Sequence, residues 1–310
     1  MASMYAVQRP SRSDSLTLRH LRHHVRCWGA QDAASTQPLL VLAHGWMDVG
    51  ASYQFVVDAF GLEFLQGRRL IAPDWRGFGH SRPATPVDHY QFVDYLADLD
   101  ALLEHYAPGQ AVDLVGHSMG GNIAMLYAAA RPARIRRLVN LEGFGLAATQ
   151  PAEAPGRYAQ WLDETRALAS GAINLKGYDS LAHVAQRLRK TNHRLDEDKA
   201  LWLAQHWAAP QPDGRWLILG DAAHKVVSPH LFRADEMLAL YAAITAPTLV
   251  VEASDDSLAK WSQGRYTLEE FHARLTHVRD CRTARIEDAG HMLHHDQPEA
   301  VARLIEAFLA

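Results

Sequence analysis

Cysteine is nearly absent from this chain: Cys27 and Cys281 are the only two in 310 residues. They lie far apart and outside any C-x-x-C spacing, so neither a disulfide framework nor a cysteine zinc site is indicated. A reducing, cytoplasmic setting is the expectation. Long apolar runs are missing at the start as well. Residues 1–26 are polar and rich in Arg and Ser, which speaks against a secretory signal or a membrane anchor. An excess of one charge sign is also lacking. The formal net charge is −4 and the basic residues are spread along the chain, so neither a nucleic-acid partner nor a membrane partner is expected. No internal repeat and no low-complexity segment is visible. What remains is long enough for one large α/β domain with an insertion, or for two domains.

The most informative stretch is 112–122, Val-Asp-Leu-Val-Gly-His-Ser-Met-Gly-Gly-Asn. An apolar strand runs into Gly116-His117-Ser118-Met119-Gly120, and a helix opens at Met119 and continues through Ile123, Leu126 and Tyr127. This is G-x-S-x-G in the strand, turn and helix context that the motif requires. The serine side chain must stand free at the end of a strand, so the backbone has to be strained and the turn very tight. Gly116 and Gly120 read as positions where a Cβ would collide across the turn. The N-terminus of the following helix then aims its free N–H groups at Ser118, where they could hold an oxyanion.

Around this turn the chain alternates strands and helices. Leu16, Leu18, Leu21, Val25 and Trp28 alternate loosely with polar residues, as in a strand pair at a sheet edge, with a turn over residues 29–37. The apolar runs 39–43, 69–73 and 137–141 have strand length and the continuous character of strands covered on both faces. Residues 53–64 and 92–106 carry helical spacing, the second through Phe92, Tyr95, Leu96, Leu99, Leu102 and Leu103. Strand signals resume at 246–252 and 284–287, and residues 298–309 close the chain as a helix. Between them, 147–243 changes character, with Pro151 and Pro155 near its start and helix-like segments rich in Leu, Ala, Trp and Arg. The expected architecture is one parallel α/β sheet interrupted by a helical insertion. Residues 1–146 and 244–310 are assigned to the core domain and 147–243 to a helical cap.

Ser118 is a poor nucleophile without a base in hydrogen-bond reach. His291, in the loop after the last strand, is expected to supply it, because loops at the carboxyl ends of parallel strands gather on one side of the sheet. A metal reading of His291-x-x-His294-His295 is disfavoured, since no carboxylate accompanies these histidines at a known zinc spacing. His291 in turn needs an acid to fix its tautomer. Asp256, after the strand that begins near Pro247, is the first choice, and Glu142, closing the strand at 137–141, is the second. Asp255 comes third, because a loop register can slip by a residue. The oxyanion donors are expected to be the N–H groups of Met119 and Trp46, with Gly45 allowing the close approach. His44, Trp46 and His117 are assigned to the substrate pocket, with Trp202 and Trp207 as apolar walls from the cap. Trp161 and Trp216 belong to the same aromatic set. The expected partner is a small-molecule substrate, with no metal and no cofactor.

His44-Gly45-Trp46, Asp74-x-Arg76-Gly77-x-Gly79-x-Ser81, Gly116-His117-Ser118-Met119-Gly120-Gly121 and Ala289-Gly290-His291 together resemble the α/β-hydrolase superfamily, from about residue 16 to the end. The likeness is to the serine hydrolase-like group related to haloalkane dehalogenases and epoxide hydrolases, which share the D-x-R-G-x-G-x-S loop. It implies an α/β-hydrolase fold, an eight-stranded and mostly parallel sheet with helices on both faces, with 147–243 as a lid over Ser118. Those two relatives use an aspartate nucleophile. With Ser118 in that place, ester-type acyl transfer is expected instead. The resemblance also bears on the acid, since such dehalogenases take a glutamate from the earlier strand end, where this chain has Glu142. The expected activity is hydrolysis of a carboxylic ester of a small, partly apolar substrate through an acyl-enzyme on Ser118. Carbon–carbon bond or lactone hydrolysis, cofactor-free perhydrolysis, and a non-enzymatic ligand receptor are the alternatives.

Overall fold

The computed structural model describes residues 4–29, 35 and 37–310. The turn read at residues 29–37 therefore lies largely outside the described residues. The main sheet contains β1 (Arg12–Leu18), β2 (Leu21–Trp28), β3 (Leu40–Ala43), β4 (Leu70–Pro73), β5 (Val112–His117), β6 (Ile135–Leu141), β7 (Thr248–Ala253) and β8 (Cys281–Ile286). Their order is β1-β2-β4-β3-β5-β6-β7-β8, and a two-residue strand, Arg82–Pro83, adds to β2. β2 runs antiparallel to both β1 and β4. Arg82–Pro83 is antiparallel to β2 as well, and the remaining neighbours are parallel.

Central parallel strands such as β3 are apolar on both faces because both faces are covered. Leu40 and Leu42 join one core cluster with Val56, Phe60, Ile305 and Phe308. Val41 and Ala43 join the other with Leu99, Leu102, Ile123 and Phe271. Helices Gln54–Ala59 and Pro298–Leu309 lie on the first side, and Phe92–Tyr106, Met119–Ala130 and Leu268–Leu275 on the second. A strand such as β3 leaves water whichever way a side chain points, so alternation is absent from its sequence. Each buried Leu or Ile contributes ~1.5–3 kcal/mol, which fixes the strand ends from which the loops of interest leave.

The helix expected over residues 53–64 is broken. Gly50–Tyr53 is a 3-10 turn, Gln54–Ala59 an α-helix and Leu62–Leu65 a separate turn of helix. Gly61 is extended, and its N–H donates to Glu306 Oε1 at 2.6 Å. The break is set by this contact with the last helix, which local spacing does not report.

Between β6 and β7 lie helices Ala154–Ala169, Leu181–Thr191, Glu197–Trp207 and Ala234–Ala243. A small antiparallel sheet of Gly177–Tyr178, Trp216–Ile218 and Ala208–Pro210 accompanies them, with Trp216–Ile218 in the middle. Strands of two or three residues carry no readable alternation, so this sheet is not visible in the sequence. Val184, Leu188, Trp202 and Leu203 of the second and third of these helices pack against Val49 and Phe55 of the core. Helix Ala234–Ala243 behaves differently: it packs on Met119–Ala130, and its Tyr241 joins the core cluster there. No helix among the described residues is long and apolar enough to cross a membrane.

Candidate active site

β5 ends at His117, and the chain turns at Ser118 with φ 52° and ψ −116° before helix Met119–Ala130 begins. Residues with a Cβ rarely adopt this conformation, so it persists only where the surroundings enforce it. Here the Ser118 N–H donates to Leu141 O at 2.8 Å, and the Asn122 N–H donates to Ser118 O at 3.0 Å. A Cβ on Gly116 would stand 2.3 Å from Gly120 O, across the turn, whereas one on Gly120 would stand 2.1 Å from Ala43 O. The second glycine is thus demanded by the end of β3 rather than by the turn itself.

Ser118 Oγ lies 3.0 Å from His291 Nε2, and His291 Nδ1 lies 3.2 Å from Glu142 Oε2. With Nδ1–H donating to the carboxylate, Nε2 presents its lone pair to the hydroxyl. Glu142 follows β6 with φ 57° and is 1% exposed. Its Oε1 accepts the Ala253 N–H at 2.7 Å, and its Oε2 accepts the Ser257 Oγ–H. Both carboxylate oxygens are thus held by donors besides His291, which fixes the side chain in place.

Asp256, the first choice for the acid on sequence grounds, makes no hydrogen bond to His291. Its Oδ1 accepts the Ala259 N–H at 2.8 Å and caps helix Ser257–Ser262, a role for which aspartate is well suited. Asp255 turns to Arg194 at 3.0 Å, and hydrogen bonds from that guanidinium hold its carboxyl below the usual carboxylate range. β7 ends at Ala253 and helix Ser257–Ser262 begins just beyond the two aspartates, so Asp256 is engaged in its cap and Asp255 with Arg194.

The His291 loop is tied down from several sides. The Asp255 N–H donates to Ala289 O at 3.0 Å, and the Gly290 N–H donates to Asp296 Oδ2 at 2.8 Å. Trp261 meets the His291 ring edge-on, with centroids 5.9 Å apart. On the other side, a Cβ on Gly45 would come within 3.2 Å of Ser118 Cβ, so the loop after β3 passes beside the nucleophile. The N–H groups of Trp46 and Met119 have no hydrogen-bond partner among the described residues.

The pocket residues named from sequence divide in two. Trp46 is 53% exposed and Trp261 43% exposed, and both sit on segments that touch the Ser118–His291 pair. His44 and His117 are both buried and engaged in hydrogen bonds of the scaffold. His44 Nε2 accepts the Trp75 N–H at 2.9 Å and its Nδ1–H donates to Gly45 O at 2.7 Å. Burial lowers its pKa to about 4, so it acts as a neutral brace under the loop. Trp202 is packed between Phe55 and Tyr5, with centroids at 5.6 and 6.1 Å, and Trp207 is partly buried on the same cluster. These two indoles attach the insertion to the core. A groove of about 690 Å³ is lined by Phe92, Val93, Tyr158 and Glu236 among others, but by none of Ser118, His291 and Glu142.

Sequence reasoning missed Ser257 and Trp261, which share a helix of six residues that carries no motif. An exposed Trp directly after the β7 loop is the one signal that could have marked that helix. The grouping His291-x-x-His294-His295 is not formed, since both nitrogens of His291 are engaged. Another grouping is: Asp48, His117 and His294 are buried, and each offers one ligand atom within 4.8 Å of the others.

Strand order, the strained serine turn and the Ser–His–carboxylate line define the class as an α/β hydrolase. A family model described as alpha/beta hydrolase fold matches residues 38–298, and the chain belongs to that family. It is 24% identical over 296 residues to a serine hydrolase-like protein of Danio rerio, covering 91% of this chain and 83% of that one. A putative carbamate hydrolase of Variovorax paradoxus is 27% identical over 216 residues, 69% of this chain and 73% of that one. Among solved structures, the thioesterase domain from the curacin biosynthetic pathway matches with a TM-score of 0.78 at 25% identity, over 96% of this chain and 99% of that domain. The chain is a hydrolase of this family.

Proposed function

We propose that the chain is a serine hydrolase that cleaves a carboxylic ester, or a related acyl bond, of a small and partly apolar substrate. The observation that carries this reading is the unbroken line from Ser118 Oγ to His291 Nε2 at 3.0 Å and from His291 Nδ1 to Glu142 Oε2 at 3.2 Å. His291 Nε2 takes the Ser118 proton as Oγ attacks the carbonyl carbon, and charge moves onto the carbonyl oxygen beside the Met119 and Trp46 N–H groups. Collapse of that intermediate breaks the carbon–oxygen bond, and His291 passes its proton to the leaving alcohol oxygen. Water then attacks the acyl-enzyme with His291 as base, releasing a carboxylic acid and restoring Ser118. Glu142 stays ionised, holds Nδ1–H and stabilises the imidazolium. The proposed steps call for no cofactor.

Residues 147–243 are proposed as the cap over this site. Their place between β6 and β7 supports this, as does the approach of the insertion to Met47: a Cβ on Gly220 would stand 3.4 Å from Met47 Cε. Trp46 and Trp261 are proposed as the apolar walls for the acyl group, in place of Trp202 and Trp207. The names carbamate hydrolase and thioesterase, borne by two relatives, support acyl-transfer chemistry. Two free cysteines, Cys27 and Cys281, support a cytoplasmic setting. Turnover of a short aryl ester, abolished in Ser118→Ala, tests the reading. Turnover that survives the substitution would remove it.

A further inference from the structure

Behind the Ser118–His291 pair lies a set of buried polar groups that the proposed chemistry leaves idle. His117 precedes the nucleophile, and its Nε2–H donates to the main-chain oxygen of His291 at 2.7 Å. A carbonyl oxygen can only accept, so this bond fixes the tautomer: Nε2 carries the proton and Nδ1 a lone pair. That Nδ1 is buried without a partner among the described residues, as are Asp48 Oδ2 and both ring nitrogens of His294. The three residues are 1%, 5% and 0% exposed in that order. Asp48 is aimed by its other oxygen, since Oδ1 accepts the Val49 N–H at 2.9 Å and the Ser52 Oγ–H. Burial keeps both rings neutral, lowering their pKa values well below the ordinary one.

A buried polar atom left unpaired is costly, so Asp48 Oδ2 and His294 Nε2, facing each other without partners, call for an occupant between them. Distance decides between a metal ion and a water. Zinc at ~2.0–2.1 Å from its ligands in a tetrahedral site sets them about 3.3–3.4 Å apart. His294 Nε2 and Asp48 Oδ2 are 4.0 Å apart. A water at about 2.8–2.9 Å from each spans that gap with neither side chain moved. Water donates to Asp48 Oδ2 and accepts from His294 Nε2–H.

We propose that His117 is a positioning residue for His291: its Nε2–H pins the His291 carbonyl, and that bond in turn fixes the tautomer of its own ring. The inference rests on His291 being the base of the proposed reaction. Because His117 is bonded in sequence to Ser118, the pin ties the base to the nucleophile by the shortest available path, independently of Glu142.

The test is aryl-ester turnover by His117→Phe, His117→Asn and His117→Gln. Glutamine places an N–H where Nε2–H stands, asparagine places it at the δ position, and phenylalanine has none. Releasing the His291 backbone should cost on the order of 10²-fold in kcat in the Phe and Asn variants, as small misplacements of a catalytic group do, with KM unchanged. The Gln variant should recover most of the rate. Thermal unfolding reports whether each variant folds, and the polar Asn variant carries the test if the Phe variant does not. Parental kcat in the folded Asn variant, or a Gln variant as slow as Asn, overturns the proposal. So does one equivalent of a divalent metal in the purified protein that is lost in His294→Gln. Failure of the proposed function is told apart by the parent protein: if it turns over no ester, or does so without Ser118, that reading falls first and this inference with it.

Discussion

Glu142 Oε2 stands 3.2 Å from His291 Nδ1, while its Oε1 takes the Ala253 N–H at 2.7 Å. The carboxylate is thereby held between the ends of two neighbouring strands. Neutralising it in Glu142→Gln should cost on the order of 10⁴ in kcat, because the histidine then loses the partner that fixes its tautomer. Asp256→Asn should keep near-parental kcat, since asparagine caps a helix as well as aspartate does. Steady-state kinetics of the two variants decide this, and a larger loss in Asp256→Asn would contradict it.

Gly120→Ala should be poorly tolerated. The added Cβ would stand 2.1 Å from Ala43 O, and both partners are backbone, so neither can swing aside. Overpacking of this kind costs ~1–3 kcal/mol or more. The urea midpoint measures the loss, and a parental midpoint would show that the turn has more room than its geometry allows.

The tryptophans should separate stability from selectivity. Trp202, 8% exposed in the seam between insertion and core, should cost ~3–5 kcal/mol when cut to Ala and leave the acyl-chain preference as it was. Trp261, 43% exposed beside His291, should cost within about 0.5 kcal/mol and shift that preference. A panel of aryl esters of increasing acyl length, with urea melts, checks both. The reverse pattern would return the pocket to the cap residues.

Stability should fall in mild acid. Burial lowers the pKa of His44 and His206 from 6.5 to about 4, and that of His224 and His295 to about 3. As the pH drops below 6.5 the unfolded chain gains protons that the folded chain refuses, so stability is lost down to pH 4 and below. For the fully buried His44 this amounts to on the order of 3 kcal/mol. Asp48 works in the opposite direction, since burial raises it to about 6 and the folded chain takes its proton first. These histidines, joined by the buried His117 and His294, outweigh Asp48 and the likewise raised Asp296. The urea midpoint at pH 4.5 should lie below that at pH 7, and an equal or higher midpoint would contradict the balance.

The serine turn is legible in the sequence because Gly116 and Ser118 answer local steric demands that few other residues meet, while Gly120, which answers to the end of β3, stands at the fixed spacing of the motif. The buried strands are legible for a similar reason, since a run such as β3 has no polar face to hide. The helix at Phe92–Tyr106 follows its apolar spacing to the residue. The choice between Asp256 and Glu142 is not legible. Both follow neighbouring parallel strands at the carboxyl end of the sheet, and what separates them is where the Ala253 N–H and Ser257 Oγ lie in space. His44 and His117 read as pocket residues because they flank the site in sequence. The bonds that bury them run to Trp75 and to the His291 carbonyl, 31 and 174 residues away, and no local pattern reports such partners. The indoles of the insertion fail for the same reason, because spacing on a helix does not tell a seam from a cavity.

Intact-mass analysis after exposure to a fluorophosphonate tests the central claim, that Ser118 is a base-activated nucleophile beside an oxyanion site. One adduct per chain is expected, mapped by peptide analysis to Ser118 and absent from Ser118→Ala. An unlabelled protein, under conditions that label another serine esterase, or an adduct on a different residue, would contradict the claim.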